Sequence, residues 1–334
     1  MEALLHVNHL EKNLDEFVLK DVNLTLQPGY IMGLIGVNGT GKTTLIQTIL
    51  NLYKKDAGDV YVNGYSMEEQ EREAKDQIGF VLDKNVFEES LSVWKNAKLF
   101  GKLYSRFDEE VFRECCERFQ VPLNQKVGKL STGYQVRFQL AFALSHDAKL
   151  FILDEPASGL DPLFRKELMR YLQEIVEDGT RSVLMSTHIT EDLDRIGDYI
   201  LLMKDGRIVW DLQIEEVRER YLIVYGTKEE IEQFRQGKVI YRSFGEYKNY
   251  AFIKKDMNID YGGYRTKQPS LEEVMYCLEK GGYEDVESDD DGDAERYVEI
   301  YEEREICSAL VYANSSHCFS KYGGAFRYGC KTND

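Results

Sequence analysis

From Met1 to about Arg220, short apolar runs alternate with stretches of helical period. The runs Ile31–Ile35, Ile78–Leu82, Leu150–Leu153, Ser182–Met185 and Tyr199–Leu202 are each bounded by Gly, Asp or Ser, as strands covered on both faces should be. Between them, Lys42–Leu52, Val93–Tyr104, Glu109–Phe119, Tyr134–Leu144 and Pro162–Val176 read as helices. Such alternation predicts an α/β domain with a largely parallel sheet. The opening segment Ala3–Gln27 alternates like strands and has no helix of its own, so an antiparallel β piece beside the sheet is expected. From Tyr221 to Gly282 the pattern changes. Leu222–Tyr225, Val239–Tyr241 and Tyr250–Ile253 read as strands, and Lys228–Phe234 and Ser270–Glu279 as helices. In the last of these, Ser270 can cap and Glu273 can reach back to it. The chain therefore divides into an α/β domain over 1–220, a small α+β appendage over 221–282 and a tail over 283–334. The tail opens with Glu287-Ser288-Asp289-Asp290-Asp291-Gly292-Asp293, too charged to bury anything, and is expected to be disordered. No internal repeat is visible.

Composition narrows the class. The chain has 334 residues, enough for roughly two domains, with 43% apolar and 30% charged residues, as in a soluble globular protein. Its longest apolar runs, such as Tyr199–Met203, fall far short of the ~18–20 residues of a membrane span. The start, Met1–His6, lacks a basic region followed by an apolar stretch, so a cytoplasmic location is expected. Asp and Glu number 59 against 42 Lys and Arg, a net charge of −17. That balance argues against nonspecific binding to nucleic acid or to anionic membranes, which need a basic footprint. Residues 283–334 carry 13 acidic and 5 basic groups, so nearly half of the excess sits on the tail. The cysteines Cys115, Cys116, Cys277, Cys307, Cys318 and Cys330 form no C-x-x-C pair, and reduced thiols are expected.

The strongest chemical signal is Gly36-Val37-Asn38-Gly39-Thr40-Gly41-Lys42-Thr43, a full G-x-x-x-x-G-K-[ST] phosphate loop after a buried-type strand and before a helix. Its glycines let backbone N–H groups wrap around phosphate oxygens, and the following helix adds the partial positive charge of its N-terminus. Lys42 would neutralise the outer phosphates and Thr43 would place its hydroxyl on Mg²⁺. Gly36, Asn38, Gly39, Thr40, Gly41, Lys42, Thr43 and the adjoining Thr44 are thus the candidate nucleotide contacts. The strand Leu150–Leu153 ends in Asp154-Glu155. An acidic pair after a strand is, by itself, usually a helix cap. Beside a phosphate loop, Asp154 can hold Mg²⁺ through water and Glu155 can orient or deprotonate the attacking water. Leu130-Ser131-Thr132-Gly133-Tyr134 leads into a helix, with Ser131 placed as a cap and the N–H groups around Gly133 opening a second anion site. His188 follows the strand Ser182–Ser186; a lone His is more often a surface residue.

The order GVNGTGKT, LSTGY, LFILDEP, SGLD and THIT resembles the ATP-binding subunit of an ABC transporter, over about Met1–Arg220. The resemblance implies the ABC type of phosphate-loop nucleotidase: a mostly parallel sheet, an antiparallel β subdomain and a helical subdomain. It implies ATP and Mg²⁺ as cofactors and a head-to-tail dimer, homomeric or heteromeric, with two ATP molecules between nucleotide-binding subunits. Lys42, Thr43, Asp154, Glu155 and His188 would then act on one ATP, while Ser131 and Gly133 would close over the partner's. Asp161, in Ser158-Gly159-Leu160-Asp161, corresponds to the loop that couples the two sites. A single such domain with a C-terminal appendage is similar to subunits of bacterial drug- and antibiotic-export systems, which implies a separate transmembrane permease and peripheral attachment to the membrane's inner face.

Three departures stand out. Asp83 replaces the usual Gln after the strand Ile78–Leu82; aspartate is shorter and charged, and would reach the metal only through water. The signature reads LSTGY, keeping Ser131 and Gly133 but carrying Thr132 and Tyr134. The aromatic that usually stacks on adenine falls near Leu14, with Phe17 the nearest candidate. These departures motivate a competing reading as a nucleotide-gated sensor or immunity module with little turnover. The appendage reads as a regulatory element or an added dimer contact. In the tail, Glu287–Gly292 imitates the start of a calcium loop but places Val298 where a bidentate Glu is needed. His317-Cys318 has no metal-site spacing.

Overall fold

A computed structural model describes residues 3–14, 16–83, 85–245, 248–256 and 258–281. The tail readings, including the calcium-loop imitation, His317, Cys307, Cys318 and Cys330, lie outside the described residues. In chain order the strands are β1 Leu5–Leu14, β2 Phe17–Leu26, β3 Ile31–Ile35, β4 Ala57–Val62, β5 Tyr65–Ser66, β6 Ile78–Val81, β7 Leu150–Asp154, β8 Ser182–Ser186, β9 Tyr199–Lys204 and β10 Arg207–Gln213, followed by β11 Tyr221–Gly226, β12 Lys238–Phe244, β13 Asn249–Lys254 and β14 Arg265–Lys267. The helices are α1 Lys42–Ile49, α2 Glu71–Asp76, α3 Val93–Phe100, α4 Glu109–Arg118, α5 Thr132–Leu144, α6 Pro162–Val176, α7 Thr190–Ile196, α8 Ile214–Arg220, α9 Lys228–Gln233 and α10 Leu271–Gly281.

The central sheet runs β10-β9-β3-β8-β7-β6. Its inner pairs β9–β3, β3–β8, β8–β7 and β7–β6 are parallel, and only β10 returns antiparallel as a hairpin on β9. Every residue of β3, β7 and β8 is buried, which is why their sequences are unbroken rather than alternating. This parallel arrangement sends the loops after β3, β6, β7 and β8 to one edge, the carboxyl end of the strands, where ligands bind in open α/β sheets. Beside it, β2-β1-β4-β5 form the expected antiparallel sheet. The helices α3, α4 and α5 pack through an aromatic cluster in which Phe87 lies 4.4 Å from Phe138 and 5.2 Å from Phe142 between ring centres.

Element ends differ from the sequence pattern in two places. The helix expected over Lys42–Leu52 stops at Ile49, because Asn51 takes a left-handed backbone with φ of 55°. The one expected from Tyr134 begins at Thr132, so the signature residues Thr132 and Gly133 form its first turn.

The C-terminal segment forms its own antiparallel sheet, β12-β13-β11-β14. On one face Leu222, Val224, Ala251 and Ile253 pack against Ile231 and Phe234, the core that seats α9. Thr227 and Glu230 cap α9 reciprocally. The expected Ser270–Glu273 box is also present: Glu273 N–H donates to Ser270 Oγ at 3.2 Å, and Ser270 N–H donates to the Glu273 carboxylate at 2.9 Å. The first N–H of α10, on Leu271, donates to the Asp194 carboxylate on α7, and Arg218 donates to the same residue. One carboxylate therefore ties this segment to the helix that follows His188. Cys115, Cys116 and Cys277 are free and buried.

Candidate ATP site

The phosphate loop leaves β3 at Gly36 and enters α1 through Gly41, whose φ of 106° places it in the left-handed region. Leu45 N–H donates to Gly41 O at 2.8 Å, so the helix begins directly under the loop. Thr40 is buried, its hydroxyl donating to Val37 O at 2.9 Å to brace the turn. Asn38 and Gly39 are exposed at the loop tip, and Thr44 is half-buried in the first turn of α1. Lys42 is buried, and its ammonium donates to Gly36 O at 2.8 Å and Val37 O at 3.3 Å. Burial pulls its pKa down, and the Glu155 and Asp154 carboxylates pull it back up. The loop thus holds a cation against its own carbonyls, among N–H groups at a helix N-terminus, which is an anion cradle.

Phe17 does not stand at a distance from this loop. A β-carbon added to Gly41 would lie 2.2 Å from Phe17 Cζ, so the ring packs on the loop's exit. Gly41→Ala would meet both this ring and the wrong backbone region. We expect it to lower stability by about 1–3 kcal/mol and to weaken nucleotide binding, read by urea unfolding and an ATP titration. An unchanged unfolding midpoint would contradict the packing described.

Asp154 closes β7 and is buried. Its Oδ1 accepts from Ser186 Oγ at 2.6 Å and from Thr43 Oγ1 at 3.3 Å. Burial pushes its pKa up, while those two hydroxyls oppose the rise; the nearby Glu155 and Asp83 carboxylates add to it. A buried carboxylate facing a Thr hydroxyl supplies hard oxygen donors of the kind Mg²⁺ takes. Ser186 was missed in the sequence. It also accepts from Glu155 N–H at 2.9 Å, fixing both acids from the neighbouring strand. Glu155 has φ of 50°, an unusual left-handed conformation for this residue, and its carboxylate accepts from or pairs with His188 Nδ1 at 2.7 Å. His188 thereby joins the acid pair rather than standing alone.

Asp83 follows β6 and is exposed. Among the described residues no group of three His, Cys, Asp or Glu is arranged to hold a metal ion, so Asp83, Asp154 and Glu155 do not form a ready-made cage. Leu82, just before Asp83, is gripped by Gln139 of α5. Leu82 N–H donates to Gln139 Oε1 at 2.9 Å, and Gln139 Nε2 donates to Leu82 O at 3.0 Å, both buried. The helix that begins at the LSTGY segment is therefore pinned to the strand end carrying Asp83.

Ser131 occupies the N-cap position of α5, but its hydroxyl makes no capping bond, which corrects the expectation that it caps. The residue is exposed, and a β-carbon on Gly133 would meet only Leu160 Cδ2, at an ordinary 3.5 Å. Packing among the described residues gives no reason for glycine there. Asp161 instead is the capping residue, at α6: it accepts from Leu163 N–H at 3.1 Å and Phe164 N–H at 3.0 Å. Its loop lies beside the LSTGY segment, with Arg137 Nη2 3.8 Å from its carboxylate.

Fold and site together define a phosphate-loop nucleotide-binding protein, with its glycine loop, acidic strand end and His188 on one sheet edge. The ABC transporter family profile matches residues 19–158. The chain is 31% identical over 217 residues to the ABC transporter ATP-binding protein YdbJ of Bacillus subtilis (strain 168), covering 64% of this chain and 70% of that protein. It is 28% identical over 201 residues to the bacitracin transport ATP-binding protein BcrA of Bacillus licheniformis, covering 60% of this chain and 66% of that one. Among solved structures, a dimeric post-hydrolysis state of the ATP-binding cassette MJ0796 bound to ADP and Pi superposes with a TM-score of 0.57 at 25% identity, covering 63% of this chain and 98% of that one. The chain belongs to the ABC transporter ATP-binding proteins. It is an ATP-binding, ATP-hydrolysing subunit of a transporter. No helix among the described residues is long and apolar enough to cross a membrane.

Proposed function

We propose that two copies of this subunit, or this subunit and a similar one, close head to tail over two ATP molecules and drive export through a separate membrane permease. The observation that carries the reading is the Glu155–His188 pair, at 2.7 Å, beside an Asp154 that faces Thr43. Lys42 and the loop from Gly36 to Thr44 bind the phosphates. Thr43 and Asp154 are the residues that would hold Mg²⁺, with Asp83 the further candidate at the end of β6; Mg²⁺ there would neutralise phosphate charge. Glu155 takes the proton of the attacking water, held in place by His188. His188 is the group that contacts the outer phosphate and aligns Glu155.

Ser131 and Gly133 act on the partner's ATP. The Ser131 hydroxyl that makes no capping bond and the open space at Gly133 support this role, since neither feature has a use among the described residues. Asp161 couples the two sites from its place at the head of α6. The chain's similarity to a bacitracin transport protein supports an antibiotic-export system, attached to the inner face of the membrane through its permease. The complete Glu155–His188 pair favours a working ATPase over a sensor with little turnover.

Ser131→Arg separates action in trans from action in cis. We expect the isolated subunit's ATP dissociation constant to stay within about twofold of wild type while ATP-dependent association, read by light scattering, is lost. A loss of ATP affinity in the isolated subunit as large as that of Lys42→Ala would place Ser131 in its own chain's site.

A further inference from the structure

The C-terminal sheet has a second face, opposite the one that seats α9. There, between β11, β13 and α10, lies a cleft of about 370 Å³. This volume falls in the range of small-molecule sites, and the walls have the usual composition of aromatic surface with a few polar groups. Tyr225, Tyr250 and Tyr276 supply the aromatic wall, over a floor of Ile223 and Cys277. The Tyr225 and Tyr250 rings lie 6.1 Å apart, and Tyr241 bridges the set at 6.3 Å from Tyr250 and 6.0 Å from Tyr276. Arg265 already sits 5.7 Å over the Tyr225 ring, so this wall accepts a cation on a tyrosine face within the native fold.

Charge at the rim decides what the cleft would select. Glu272, Glu273 and Lys248 are its charged lining residues. Glu273 is committed: its carboxylate pairs with Lys267 at 2.6 Å and accepts from Ser270 N–H. Glu272 has no ionic partner among the described residues, and it stands four residues before Tyr276 on the exposed side of α10. Burial pushes Tyr250 up to about 12 and the Cys277 thiol up to about 11. Both therefore stay neutral, which leaves the tyrosine face as a neutral π surface and the thiol unreactive.

From this arrangement we infer that the cleft is a binding site for small aromatic cations, whose ring stacks on Tyr250 and Tyr276 and whose positive charge meets Glu272. The site is separate from the ATP site, and it shares α10 with the Asp194 link to α7.

Calorimetric titration of the full chain with benzyltrimethylammonium, benzyl alcohol and benzoate tests this. We expect saturable one-site binding of the cation, at least about tenfold tighter than either of the other two. Glu272→Gln and Tyr276→Ala, both at exposed positions, should each weaken the cation by about threefold or more and leave ATP binding unchanged, which serves as the folding control. No saturable binding, equal binding of benzyl alcohol, tighter binding of benzoate, or an affinity indifferent to both substitutions would each overturn the assignment.

Discussion

Replacing Glu155 by Gln is expected to leave ATP binding intact and to slow hydrolysis by about 10²–10⁴-fold, the usual contribution of a positioned general base. The reason is specific to how the residue is held. Its backbone is fixed at a left-handed φ of 50°, with its N–H on Ser186 Oγ, and its side chain meets His188 Nδ1. Glutamine has the same shape and can keep those bonds, so the site stays assembled. What it cannot do is accept a proton from water. Phosphate release and an ATP titration on the same preparation check both halves. Wild-type-like hydrolysis by the variant would remove Glu155 from this role.

Lys42→Ala carries the second large effect, and it falls on binding rather than turnover. Lys42 is buried, with its ammonium held on Gly36 O and Val37 O, so the positive charge is placed before any nucleotide arrives. Hydrogen bonds to charged groups are worth about 1.5–3 kcal/mol each, and more than one phosphate oxygen is lost as a partner. The ATP dissociation constant should therefore rise by at least about a hundredfold in an equilibrium titration. An unchanged constant would contradict the assignment of the phosphate loop.

Much of this was legible in the chain because it is local. The runs at β3, β7 and β8 announce strands buried on both faces, and the spacing from Gly36 to Thr43 marks the glycine loop that joins β3 to α1. Asp154 and Glu155 are readable for the same reason: they end an apolar strand. What was not legible depends on partners far along the chain. Ser186 looks like the end of a strand until β7 and β8 pair and set it against Asp154, 32 positions away. Gln139 reads as an ordinary polar residue on a helix, yet it holds both backbone groups of Leu82, 57 positions back. Pattern also erred where local chemistry offers a choice. A serine before a helix is normally a cap, but Ser131 leaves that bond unmade, whereas Asp161 makes it at α6. Phe17 is visible in the sequence as an aromatic, but its packing on Gly41 depends on the antiparallel sheet lying beside the loop. The aromatic cleft is invisible in sequence because its tyrosines come from two strands and a helix.

In the proposed cycle, Mg²⁺ and ATP bring two copies together, so that Ser131 and Gly133 of one close over the nucleotide of the other. The most direct measurement is the molar mass of Glu155→Gln by light scattering, with and without Mg·ATP, because this variant holds ATP without consuming it. A monomer without nucleotide and a doubled mass with it are expected. A mass that stays monomeric while ATP is bound would contradict it.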